Sequence, residues 1–199
     1  MKIGIDARAA KWYRGTGIGT YTYQLVNSLN KIDYLNQYLI FMPKSSTYDI
    51  KFNSNYKIKN VTQDMKGEFW NEINIPNVLQ NKDIDLYHVP QNGVGLPKKT
   101  SPFVITLHDV IPCKMPETVG KTYLEIFKRE MPNIISRCDG ILTVSNYSKQ
   151  DIIKTFNFPE EKIFVTHLAN EDIYFPRDKN MCKNFLSKHY NINDNYILY

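Results

Sequence analysis

The sequence is short of cysteine, and its three, Cys113, Cys138 and Cys182, are odd in number, far apart and without C-x-x-C spacing. That speaks against a disulfide framework and against a zinc site. No apolar run approaches the length of a membrane span, and the N-terminus goes straight into a strand. Neither a spanning helix nor a secretory signal is therefore expected, and the chain reads as cytoplasmic. No long run carries charge of one sign. The net charge of +5 is dispersed, which is not the concentrated basic face of a nucleic-acid binder. It is compatible with anionic substrates, and with peripheral contact at the anionic inner face of a membrane. No two histidines have metal-ligand spacing. What remains is ordinary globular material, 42% hydrophobic and 23% charged over 199 residues. That is enough for one domain with a good core, or one domain and a piece of another.

Strand and helix patterns alternate along the chain. Lys2-Ile3-Gly4-Ile5-Asp6 reads as a strand, followed by the glycine-studded stretch 15–19 and a helix with Ile18, Tyr21, Leu25, Leu29 and Ile32 on one face. Further strands are expected over 37–42, 56–62, 85–89, 103–107, 140–144 and 162–166. Helices are expected over 68–80, interrupted near Pro76, over 122–137, bent at Pro132, and after Ser145 through Phe156. The strands are mostly continuous apolar runs rather than alternating ones. That predicts an α/β fold with a doubly wound, mostly parallel sheet covered by helices on both faces. Ligands of such sheets sit beyond the carboxyl ends of the strands. The polar residues expected there are Asp6, His88, His108, Asp109 and Ser145.

A strand, a glycine-rich turn and a helix start place bare N–H groups at the positive end of a helix dipole, a place that suits phosphate. The dinucleotide fingerprint does not fit, because Thr20 stands where its third glycine belongs and eight residues, Ala7 to Arg14, separate strand from glycines. The next strand ends in Pro43-Lys44 rather than in an acid for ribose hydroxyls. A nicotinamide cofactor is not expected. His108-Asp109 is the leading candidate pair, because a histidine just past a buried strand can hydrogen-bond a sugar hydroxyl or a phosphate oxygen. His88 has the same placement. Ser145 suits a helix N-cap, and no G-x-S-x-G elbow surrounds it. Asp83-Ile84-Asp85 is a D-x-D, but it leads into a strand at the opposite end of the sheet and reads as a solvated turn.

Taken in order, the motifs resemble the N-terminal half of a GT-B glycosyltransferase of family 4. The likeness is carried by Lys2-Ile3-Gly4-Ile5-Asp6, Gly17-Ile18-Gly19-Thr20-Tyr21 with Leu25, and Asp85-Leu86-Tyr87-His88-Val89-Pro90. It continues in Ile105-Thr106-Leu107-His108-Asp109, Cys138-Asp139-Gly140-Ile141-Leu142-Thr143-Val144-Ser145 and the crossing segment 165–176. The His-Asp wording resembles mannosyl- or rhamnosyltransferase-like members of bacterial polysaccharide assembly. The resemblance implies two facing Rossmann-like domains with the site in the cleft between them. It implies transfer from a nucleotide-sugar to a glycan or lipid-linked acceptor with retention of configuration, the nucleotide-sugar being a substrate, with no cofactor and no metal. It assigns Gly15, Thr16, Gly17 and Gly19 to the loop that meets donor phosphates and acceptor. His108 becomes the cleft histidine near the reacting carbon, Asp109 its support or that of an acceptor hydroxyl, and His88 and Ser145 further substrate contacts.

The family's basic pair and E-x7-E motif fall after Tyr199. Residues 1–177 are therefore expected to form the acceptor-side domain, and 178–199 the start of a truncated nucleotide-sugar-binding domain, so that the fragment alone would be inactive. Its apolar strand 196–199 would have no sheet to join. It is expected to be disordered, docked on its own domain, or paired with a second copy as a homodimer. A non-catalytic nucleotide- or sugar-binding module is the alternative reading of the same fold.

Overall fold

The structure, a computed structural model, describes residues 1–43, 49–62, 84–94 and 101–197. The helix expected over 68–80 and Asp83 lie outside the described residues. Contacts divide the chain into two compact units, Met1–Leu168 and Ala169–Tyr199.

The first unit holds seven strands, β1 (Lys2–Asp6), β2 (Gln37–Pro43), β3 (Tyr56–Thr62), β4 (Leu86–Val89), β5 (Phe103–Thr106), β6 (Gly140–Thr143) and β7 (Ile163–Val165). All six pairings are parallel, in the order β3-β2-β1-β4-β5-β6-β7. The expected parallel, doubly wound sheet is present. Its order reverses between β1 and β4, the switch point beside which ligands of such sheets bind. The helices of this unit are α1 (Arg8–Trp12), α2 (Gly17–Ile32), α3 (Ile111–Lys114), α4 (Lys121–Arg137) and α5 (Asn146–Phe156).

Side-chain alternation divides the core in two. Tyr38, Ile40 and Met42 of β2 join Ile5 and Val26 of α2 on one face. Leu39 and Phe41 join Tyr87, Val89, Phe103, Ile105 and α4's Phe127, Met131 and Ile134 on the other. The β5 residues between the apolar ones, and His108 beyond them, therefore belong to the α2 face. Helix α4 buries Phe127, Met131 and Ile134 as the sequence pattern predicts, and continues through Pro132.

Two local expectations change. The eight residues before the glycines include a helix, α1, too short to show a period. The buried stripe of α2 is Gly19, Thr22, Val26 and Asn30, while Ile32 is exposed. The polar members of that stripe are satisfied where they are buried. Thr22 Oγ1 donates to the Ile18 carbonyl at 2.8 Å, and Asn30 Nδ2 to that of Lys51 at 3.1 Å.

The second unit holds α6 (Lys179–Tyr190), capped by Asp178, whose carboxylate accepts from Met181 N at 2.8 Å. None of its residues is buried. Asn195 to Ile197 are not in a strand, and the end of the expected strand lies outside the described residues.

Candidate active site at the carboxyl ends of the strands

Beyond β5, the chain passes through buried Leu107, whose N–H donates to the Leu142 carbonyl, to His108. The His108 main-chain N–H donates to Asn92 Oδ1 at 3.0 Å, and ring Nε2 lies 3.0 Å from the Pro90 carbonyl. A carbonyl only accepts, so Nε2 carries the proton and Nδ1 is the acceptor of the neutral ring. Burial lowers the His108 pKa, against the Pro90 bond and the nearby Asp109 charge, which raise it. The ring is therefore neutral at pH 7, and toward a hydroxyl its unprotonated Nδ1 accepts rather than donates.

The glycine loop is brought to the same place. The ring of Tyr21, one turn into α2, meets His108 edge-on with centroids 4.7 Å apart. Thr16 caps α2, its hydroxyl accepting from Gly19 N at 3.2 Å while donating to the Tyr13 carbonyl at 2.7 Å. The loop glycines differ in purpose. A Cβ on Gly19 would overlap the Tyr13 carbonyl, so this glycine lets α2 close against α1. Gly15 has φ +99°, which L side chains rarely adopt. A Cβ on Gly17 would meet nothing within 4 Å, so neither packing nor backbone requires a glycine there. Arg14 flanks the loop, its guanidinium donating to Thr20 Oγ1 at 3.1 Å and lying over the Tyr23 ring.

His88 lies behind this surface. It is buried, with Nε2 2.8 Å from Thr106 Oγ1, which in turn lies 3.2 Å from the Tyr21 hydroxyl. Burial first, then the neighbouring His108, pushes its pKa down to about 4. Asp109 Oδ1 accepts from Ile111 N at 2.9 Å, and Ser145 Oγ accepts from Ser148 N at 3.0 Å as the N-cap of α5. Asp85, of the D-x-D, accepts from Lys2 N at 2.7 Å and is exposed.

Sequence reasoning missed a buried cluster at the switch point. Asp6 and Arg8 are 0% and 1% exposed. Arg8 donates through Nε at 2.9 Å to Asp6 Oδ1 and through Nη2 at 2.7 Å to Oδ2, which also accepts from Gln91 Nε2 at 2.8 Å. Charged side chains are so rarely buried that nothing in the composition marks Arg8. Asn92, also missed, bridges His108 N and the Tyr123 hydroxyl of α4. The Asn92-Gly93 pair is a turn signal that could have found it.

Among the described residues, no group of three or more His, Cys, Asp or Glu could hold a metal ion, and no helix is long and apolar enough to cross a membrane.

Comparison with known proteins bears on the fold and the family. The chain is 32% identical over 114 residues to O-antigen chain mannosyltransferase B of Escherichia coli, covering 57% of this chain and 29% of that protein. Among solved structures, the wall teichoic acid polymerase TagF aligns at TM-score 0.50 with 16% identity over 96% of this chain and 44% of its own. Anabaena Alr3699/HepE in complex with UDP and glucose aligns at TM-score 0.53 with 13% identity over 94% and 50%. At these identities the two structures speak to the fold alone. The chain spans half or less of the length of each of these relatives. The model described as Glycosyltransferase Family 4 matches residues 15–169. The chain belongs to glycosyltransferase family 4.

Proposed function

We propose that this chain is the acceptor-side half of a glycosyltransferase that moves a sugar from a nucleotide-sugar to a glycan or lipid-linked acceptor, with retention of configuration. Residues 1–177 form that half, and 178–199 open a second domain that binds the donor nucleotide. The observation that carries the reading is the 4.7 Å contact of Tyr21 with His108, which joins the loop of Gly15, Thr16, Gly17 and Gly19 to the histidine. The loop offers N–H groups at the start of α2 to a phosphate or an acceptor oxygen. His108 Nδ1 accepts from a hydroxyl of the transferred sugar, while Asp109, His88 and Ser145 support or line the site.

In the transfer, an acceptor hydroxyl oxygen bonds to the anomeric carbon as the bond from that carbon to the nucleoside diphosphate breaks; the diphosphate leaves with the electron pair and takes up the hydroxyl proton. Charge develops on the diphosphate, so catalysis depends on cationic groups and N–H donors aimed at it. In this reading the second domain supplies most of them, so residues 1–177 alone do not carry the reaction. The reaction uses neither a metal nor an organic cofactor. The Escherichia coli relative's name, which specifies mannosyl transfer and an O-antigen chain, favours a mannosyl donor and a glycan acceptor.

The test is donor-dependent release of nucleoside diphosphate by the full-length protein across a panel of nucleotide-sugars. Transfer with one donor and a glycan acceptor is expected. Saturable nucleotide binding without transfer would point to a non-catalytic binding module instead. Self-association through 178–199 is tested by light scattering before and after deletion of that segment, an unchanged mass ruling it out.

A further inference from the structure

We infer that Gln91 and Asn92, in the turn after β4, are positioning residues that hold the His108 ring so that Nε2 keeps its proton and Nδ1 is presented to the ligand. The inference rests on the reading of His108 as the histidine of the site, and concerns what fixes it there.

Three consecutive residues of the turn each contribute. Pro90 supplies the carbonyl that takes the Nε2–H. Asn92 accepts from the His108 main-chain N–H at 3.0 Å and donates to the Tyr123 hydroxyl at 3.1 Å, and its own N–H donates to the Thr106 carbonyl at 3.0 Å. Gln91 is fully buried, and its Nε2 donates to Asp6 at 2.8 Å and to the Val94 carbonyl at 3.3 Å. The histidine is thus held at its main chain and at its ring by one turn. That turn is moored to β1 through Asp6, to β5 through Thr106 and to α4 through Tyr123.

A turn that only reversed the chain would not need these side chains. Asn92 has φ +53° and Gly93 φ +71°, so the backbone takes two successive left-handed residues, a conformation asparagine tolerates better than most. That geometry keeps the Asn92 side chain 2% exposed. Asp6 is in turn oriented by Arg8, so a displacement of Gln91 would pass to the Pro90 carbonyl beside it and from there to the ring. Misplacing a group by about 1 Å is enough to cost on the order of a hundredfold in a positioned reaction.

The test is the imidazole nitrogen spectrum of His108 in the 199-residue chain near neutral pH, read together with the exchange of its ring N–H with water. Free histidine also favours a proton on Nε2, so protection of that proton discriminates, and the tautomer alone does not. The wild type is expected to show a protected Nε2–H and an unprotonated Nδ1. Gln91→Met and Asn92→Gly should each leave the backbone amide spectrum dispersed but speed exchange of that proton by about tenfold, the weight of one hydrogen bond. Asn92→Asp, which can still accept from His108 N and from the Tyr123 hydroxyl, should restore protection. If either deletion variant fails to fold, Tyr123→Phe removes one mooring hydroxyl from a half-buried ring and should give faster exchange in the same direction. Wild-type protection in the folded variants would overturn the inference. This readout needs no transfer activity, so it fails or succeeds separately from the proposed function.

Discussion

His88 and His108 lie on one face of the sheet, yet their ring nitrogens are used differently. His88 spends Nε2 on Thr106 in a buried site, whereas His108 keeps Nδ1 without a hydrogen bond among the described residues. The buried ring should be visible in acid unfolding. Its folded pKa, about 4, lies below the ordinary 6.5. Between those values the unfolded chain binds the proton and the folded chain does not, so stability falls as pH drops through the window, by up to about 3 kcal/mol. Glutamine at 88 can still hydrogen-bond Thr106 but cannot titrate. His88→Gln is therefore expected to leave stability at pH 7 within about 1 kcal/mol of wild type and to remove most of the loss between pH 6.5 and 4. Denaturant melts across that range check it, and superimposable acid profiles would contradict it.

At the scale of elements, the glycine loop separates packing from ligand contact. Gly19→Ala forces a Cβ onto the Tyr13 carbonyl and should lower stability by about 1–3 kcal/mol. Gly17→Ala places its methyl in open space and should leave the melting temperature nearly unchanged, while slowing transfer by the full-length protein if substrate passes there. Thermal melts and the transfer assay together read both effects, and normal transfer by Gly17→Ala would remove that residue from the site. The strands and α4 were legible because long buried apolar runs and a regular stripe leave little choice. Helix α1 was not, since Arg8-Ala9-Ala10-Lys11-Trp12 is too short for a period. The buried face of α2 was misjudged because Gly19, Thr22 and Asn30 do not look apolar, and they are buried through close approach and satisfied hydrogen bonds. The Asp6–Arg8–Gln91 cluster was illegible for a related reason, because it brings together residues 85 apart in the chain and no local pattern announces such a pairing.

At the scale of the molecule, a parallel sheet whose order reverses between β1 and β4 places the ends of β1, β4 and β5 and the start of α2 on one side. Asp6, the Pro90 turn, His108 and the glycine loop meet there although 102 residues separate the outermost, Asp6 and His108. The chain's span of half or less of its relatives makes the full-length protein the proper subject of kinetics. The most direct measurement is sugar transfer by the full-length protein carrying His108→Ala, with donor saturating and folding checked by its melt. The account predicts a loss on the order of a hundredfold with an unchanged fold. Equal rates for variant and wild type would contradict it.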